Sequence, residues 1–492
     1  MSNSIVRKLA GETAVYGITH TLGRLINFLL VPFYIKLFTV AEYGVVNTYY
    51  SVAGFAMVVL MYGMETAFFN FSREEKPEKV FSTGQRSLLV TTLFIVLIGL
   101  LFQQQVANFL EHPEQTVFVR IFIFIVAFEA LSNLPLAWLR LNKRPMRFGA
   151  VRIINILVNV GCNLLFLLVF PWLESKGYSI PMYNPNFGIG YIFVSNLLAS
   201  IVMFLLLLPE WKGITEGFDK ELWNKMWKYG RPLVIIGLAG IVNEMIDRIL
   251  LLKLLPRSIA DYEIGVYSAF YKLSMFMTIF VQSFRFAAEP FFFEQSKGEE
   301  PKKIYAKVMH YFVIALSGIF LTTLVFLNQI GPLLITKKEY WEHPSALYLT
   351  PILLMANLFL GVMYNLNIWY KLNDKMYLGM RISIAGALGT ILLNVVLIPL
   401  IGIVGSALAT LLVYFSMAVG SYLLGQKHYR VPYNLRIIIF YLVLSVVLYF
   451  IFMIVSRYLD SYELLLGIFT LLIFGAIVYY IERPTKNRKF AA

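Results

Sequence analysis

The sequence predicts an all-α polytopic membrane protein with about fourteen transmembrane helices, each span needing roughly 20 mainly apolar residues. Three observations carry that expectation. Hydrophobic residues make up 59% and charged residues 14% of the 492-residue chain, whereas soluble domains carry roughly a quarter charged and about half apolar residues. Apolar runs of spanning length follow one another from end to end. Lys and Arg gather in alternate connections between those runs, the pattern of loops retained on the cytoplasmic side of a membrane. A water-soluble fold of this composition would expose large apolar surface and aggregate.

In chain order the expected spans are 13–37, 45–70, 85–109, 116–139, 149–171, 187–209, 231–254, 265–292, 305–330, 346–370, 376–399, 402–424, 434–456 and 462–481. Barrel strands are excluded, because they are about 10 residues long and alternate in polarity. Met1 to Lys8 lead into the first run without a small-residue cleavage site, so a retained first helix is expected rather than a signal peptide. The basic set of loops holds Arg73, Lys76 and Lys79, then Arg140, Lys143, Arg144 and Arg147, then Lys220, Lys225 and Lys228. It continues with Lys302, Lys303 and Lys307, with Lys371 and Lys375, and with Lys427 and Arg430. The intervening loops hold little more than Lys36, Lys176, Lys253, Arg257, Lys337, Lys338 and Arg457. Both termini are therefore expected in the cytoplasm, and the net charge of +14 reflects loop placement rather than a nucleic-acid surface. The single cysteine, Cys162, allows no internal disulfide and no cysteine-based metal site.

The chain repeats itself weakly. Glu42-Tyr-Gly44 and the residues after it read against Glu263-Ile-Gly265 at an offset of 221. Leu141-Asn142, Gly149 and Asn163 read against Leu372-Asn373, Gly379 and Asn394 at offsets of 231, 230 and 231, and Tyr16-Gly17 against Tyr229-Gly230 at 213. Two halves of six spans are expected, at 1–215 and 216–428, with an extra helix pair and tail at 429–492. An even span count gives both halves the same orientation, and such parallel repeats place a transporter's substrate site at their interface.

Particular segments resemble a known family. Pro32-Phe-Tyr-Ile-Lys-Leu-Phe-Thr-Val-Ala-Glu-Tyr-Gly44, Asp247-Arg248 followed by Gly265-Val-Tyr267, Asn394 to Pro399 and Gly402 to Thr410 are similar to polysaccharide-unit flippases of the multidrug/oligosaccharidyl-lipid/polysaccharide exporter superfamily. The resemblance covers about 1–425; Gly188-Ile-Gly190 only partly mirrors Gly402–Gly405, which blurs the branch. It implies a two-lobed, V-shaped helical fold and a lipid-linked oligosaccharide as cargo, typically a repeat unit on undecaprenyl diphosphate.

Charges inside spans mark the candidate sites, since each costs on the order of 2.5–3.5 kcal/mol at mid-membrane and needs a partner or a wet cavity. On the first span Thr13, Tyr16, His20, Arg24 and Asn27 share one helical face. On the eighth, Ser268, Tyr271, Met275, Thr278, Gln282, Arg285 and Glu289 form a longer stripe with Lys272 at its edge. His20, Arg24, Asn27, Arg248, Lys272, Gln282 and Arg285 are the cavity candidates. On the seventh, Glu244 and Arg248 are spaced to pair, which would leave Asp247 for a cation, another helix or an outer gate. Glu65 and Glu129 read as single buried carboxylates that either carry a coupling proton or pair with Arg24. Glu65, Glu129, Glu244, Asp247 and Glu289 are thus the coupling or gating candidates. Helix packing and satisfied ion pairs compete with each of these roles. Neutral polar residues Asn357, Tyr364 and Asn367 on the tenth span are expected mainly to pack.

A diphosphate must exchange its water for Arg or Lys donors in a protected cleft, and the planar guanidinium donates in pairs to phosphate oxygens. The function expected is a flippase for an undecaprenyl-diphosphate-linked oligosaccharide, working by alternating access in a bacterial inner membrane. A drug/cation antiporter of the same superfamily and a membrane glycan polymerase or ligase are the alternatives. The polymerase requires a presented acid, base or nucleophile, and the largest external loop, near 172–186, has no His, Cys or acid pair. No HExxH, P-loop or dinucleotide glycine motif occurs, so neither a cofactor nor a metal is expected. Membrane lipids and other polysaccharide-assembly proteins are the expected partners.

Overall fold

A computed structural model describes residues 28–483 except 182, 215, 297 and 374. Among the described residues every long element is a helix, as lipid requires: a spanning segment must satisfy its own backbone hydrogen bonds. Ten helices among the described residues are long and apolar enough to cross a bilayer, or eleven if one bent pair is a single span. The first expected span is described only from Phe28 onward, ending in Val31–Leu37.

The chain divides into two compact units. The first gathers the described residues up to Val266 together with Thr390–Pro399. It contains Val40–Met61, Pro77–Leu101, Thr116–Leu141, Pro145–Leu164, Gly190–Leu207 and Lys220–Leu254. Thr39 caps the first of these: its hydroxyl accepts from the Glu42 amide while the Glu42 carboxylate accepts from the Thr39 amide, a reciprocal capping box. The core is aromatic. Tyr49 stacks on Phe122 at 5.5 Å and Phe122 meets Phe193 edge-on at 4.7 Å. By contrast Leu93, Phe94 and Leu97 on Pro77–Leu101 are about 60% exposed, a face that suits hydrocarbon rather than water.

The second unit spans Tyr267–Gly389 and Leu400 onward. Pro301–Val325 is its hub, with Leu316, Phe320 and Leu324 packed among Leu354, Tyr441, Tyr449 and Phe474. The extra pair, Leu435–Ser456 and Glu463–Glu482, is therefore docked on this unit's core. Its far end is pinned by Glu482, which accepts from Tyr441 Oη at 2.7 Å and faces His310 Nε2 at 2.9 Å.

One expected span takes a different form. The eighth, which reads as one helix over 265–292, is Arg257–Leu273 followed by Met275–Gln295, bent by 48° at the junction. Ser274 causes the break: its hydroxyl donates to the Tyr271 carbonyl at 2.7 Å and accepts from Asn357 Nδ2 at 3.0 Å, competing with the helical ladder. The expected polar stripe from Ser268 to Glu289 therefore spans this bend rather than a straight helix. The eleventh and twelfth expected spans, 376–399 and 402–424, follow one another within Met376–His428, and the break between them falls at Ile401 and Gly402, which leave helical geometry.

Candidate functional site

The second unit holds a cavity of about 160 Å³ whose lining includes Phe284, Arg285, Tyr364, Asn365, Lys371 and Ser383. Met275–Gln295 supplies Arg285, and Ala346–Leu366 supplies Tyr364. Phe284 stacks on Phe312 at 3.9 Å, fixing the rotation of the first helix against the core. The Arg285 guanidinium lies 4.9 Å from the centre of the Tyr364 ring. A cation over a π face is attracted by the ring quadrupole, which orients the guanidinium. Asn365 is buried, and neither end of its carboxamide has a hydrogen-bond partner. No Asp or Glu lines this cavity among the described residues. Chemically, it offers two cations, amides and aromatic faces to an anionic, polar ligand.

Of the expected residues, Arg285 and Tyr364 are brought together here. Gln282 lies one turn before Arg285 and is half-buried, as is Lys272 on the other side of the break. Asn357 Nδ2 donates to Ser274 Oγ at 3.0 Å, whereas Asn367 accepts from Ser421 Oγ at 2.9 Å and also lines the cavity. Lys371 is hidden from sequence reasoning because its position reads as an ordinary basic loop. His20, Arg24, Asn27, Thr13 and Tyr16 lie outside the described residues, as does the side chain of Glu289.

On Lys220–Leu254 the expected pairing is corrected. Arg248 Nη1 bonds Asp247 Oδ1 at 2.7 Å and the Glu244 backbone carbonyl at 2.9 Å. Asp247 Oδ1 also accepts the Arg248 backbone N–H at 2.8 Å. The neighbouring carboxylate is thus already fixed beside the guanidinium, both groups are buried, and the Glu244 side chain is exposed. Asp247 is therefore an ion-pair member. Asn243, on the same helix, accepts from Thr390 Oγ1 at 2.8 Å.

Glu65 and Glu129 are not solitary either. Glu65 pairs with Arg140 and accepts from Asn133 Nδ2 at 2.8 Å, while the Arg140 guanidinium sits 5.0 Å from the Phe69 ring. Glu129 accepts from Ser200 Oγ at 3.3 Å and has Arg152 as its electrostatic neighbour. Ser200 and Asn196 lead on to Tyr50, whose hydroxyl accepts from Asn196 Nδ2 at 3.2 Å. Arg152 is the readable signal here, an Arg within the expected 149–171 run. Among the described residues no group of three His, Cys, Asp or Glu side chains is placed to hold a metal ion.

Comparison with known proteins places these features. No curated protein matches the chain. A lipid II flippase, MurJ, in an inward closed conformation superposes with a TM-score of 0.69 at 15% identity, covering 95% of this chain and 99% of that one. An inward-facing multidrug resistance MATE family transporter of the MOP superfamily gives a TM-score of 0.60 at 13% identity, covering 82% and 94%. An outward-facing transporter of the same description gives 0.54 at 13% identity, covering 86% and 94%. These likenesses establish the fold as that of the exporters. The family model for "Polysaccharide biosynthesis protein" matches residues 9–296, more than half of the sequence, and the chain is accordingly a multi-pass membrane member of the polysaccharide biosynthesis protein family.

Proposed function

We propose that this protein flips an undecaprenyl-diphosphate-linked oligosaccharide across a bacterial inner membrane, with both termini in the cytoplasm. The lobes at 1–215 and 216–428 alternate access, and the pair at 429–492 belongs to the second. The observation that carries this reading is the cavity holding Arg285 and Lys371 with no carboxylate in its described lining. A diphosphate is anionic on every face, and a guanidinium held by Tyr364 presents fixed donors to it in place of water. The amide and tyrosine groups suit sugar hydroxyls and ring faces. A drug/cation antiporter needs the opposite charge in its cavity. Polymerisation needs a presented acid–base pair, and the described residues of this cavity include neither an acidic residue nor a histidine.

Arg24 remains the first-lobe candidate for the same phosphate. The test is complementation of a deletion strain by Arg24→Ala and Arg285→Ala, with membrane insertion checked in parallel. Each change should lower export at least about tenfold, the loss of one hydrogen bond to a charged group. Normal export by stably inserted Arg285→Ala protein would contradict the assignment.

A further inference from the structure

The sequence repeat returns as a contact. Gly44, at the start of Val40–Met61, and Gly265, on Arg257–Leu273, are equivalent at the offset of 221. A Cβ at Gly44 would lie 1.9 Å from the Asp261 carbonyl oxygen, and a Cβ at Gly265 would lie 1.9 Å from the Val40 carbonyl oxygen. Val40 and Asp261 are themselves separated by 221. The crossing is therefore reciprocal: each repeat presses its glycine onto the matching carbonyl of the other. Such approaches, with Cα–H groups directed at carbonyl oxygens, are available only to glycine and recur where membrane helices pack closely.

An ionic network surrounds the same crossing. Glu111 and His112 come from the connection before Thr116–Leu141, and Lys253, Arg257 and Asp261 from the far end of Lys220–Leu254 and the next helix. Lys253 Nζ reaches Glu111 Oε1 at 2.5 Å. Arg257 donates to Asp261 Oδ2 at 2.6 Å and to the Glu111 carbonyl at 2.9 Å. His112 is buried, with Nδ1 3.2 Å from Arg257 Nη2 and Nε2 3.4 Å from Asp261 Oδ1. Exposed Glu114 stands 3.7 Å from the same ring, and Tyr49 is the aromatic neighbour at 6.4 Å. Glu111 is held at φ +60, a left-handed conformation that is strained for a non-glycine residue and kept only where its surroundings over-determine it.

We infer that the Gly44–Gly265 crossing, together with the Glu111–His112 to Lys253–Arg257–Asp261 network, is a latch joining the two repeats, and that it parts when the protein opens to the outside. The inference rests on the proposed orientation, which puts these residues away from the basic loops. Val40, Tyr43, Val45, Ala260, Ile264 and Val266, beside the two glycines, are buried, so the crossing separates by uncovering apolar side chains as well as the glycine contact. The ion pairs, partly exposed, set how readily it does so.

The test uses full-length protein in cells, with Cys162→Ser removing the native thiol and Thr48→Cys as probe. Thr48 is buried one turn beyond Gly44 and bonds its carbonyl, and the probe is a membrane-impermeant maleimide added outside. Labelling should be slow in this background. It should rise about fivefold, the effect of about 1 kcal/mol on a two-state balance, when Gly44→Ala or Gly265→Ala is added. Lys253→Gln with Arg257→Gln, changed at partly exposed side chains, should raise it as well without the risk of misfolding. Equal labelling in all of these proteins overturns the latch. Because labelling requires no substrate, that outcome leaves the transport reading standing, whereas failed export with a labelling rise would isolate the fault to the cargo assignment.

Discussion

Asp219 shows how one side chain sets a boundary in this chain. It caps Lys220–Leu254 by accepting from the Leu222 amide at 2.9 Å, and it pairs with Lys79 Nζ at 2.6 Å. The backbone amide first, and Lys79 second, hold its carboxyl below the usual carboxylate value. The sign follows from linkage: a carboxylate whose pKa is lower in the folded state stabilises the fold above its unfolded pKa and loses that contribution as pH falls. Thermal unfolding in detergent should therefore be insensitive to Asp219→Asn substitution at acidic pH. The substitution should lower the melting temperature from about pH 5 upward, above the ordinary value of about 3.9. An equal effect at pH 3 and pH 7 would contradict the charge-based cap. At this scale the sequence discloses which residues are charged and buried but not their partners. Spacing points from Arg248 to Glu244, yet the guanidinium takes the adjacent Asp247, whose carboxylate the Arg248 backbone amide already orients. Glu65 finds Arg140 because Thr116–Leu141 extends past the expected end of its span and carries that Arg into contact.

Elements are legible as runs and illegible at their breaks. A helix of this hydropathy reads continuously across Ser274 because nothing local reveals that Asn357, 83 positions later, will claim the serine hydroxyl. Gly402 reads as a motif glycine, and its role is conformational. It stands at φ +59, with open space where a Cβ would be. Gly402→Ala should therefore cost the strain of this glycine-only backbone conformation alone, about 1–3 kcal/mol, without a steric clash. Reduced thermal stability with retained insertion is the expected result, and an unchanged or raised melting temperature would show that the break is not fixed by the backbone of this residue.

For the whole molecule, composition and the alternation of basic loops suffice to point to the membrane, because lipid leaves a chain so few ways to satisfy its backbone. The expected duplication rests on scattered glycines and asparagines, and Gly44 and Gly265 acquire a physical reason only when they meet. The cavity is least legible, since residues such as Arg285 and Lys371, 86 positions apart, converge on it only in the fold. The central claim is that this chain moves a lipid-linked glycan between leaflets. The direct measurement is a clean deletion followed by leaflet mapping of the lipid-linked glycans with an impermeant sugar-modifying reagent. Intermediates confined to the cytoplasmic leaflet, and released by the restored gene, are the predicted result. Single units reaching the outer leaflet unjoined, or unchanged glycans with new drug sensitivity, would contradict it.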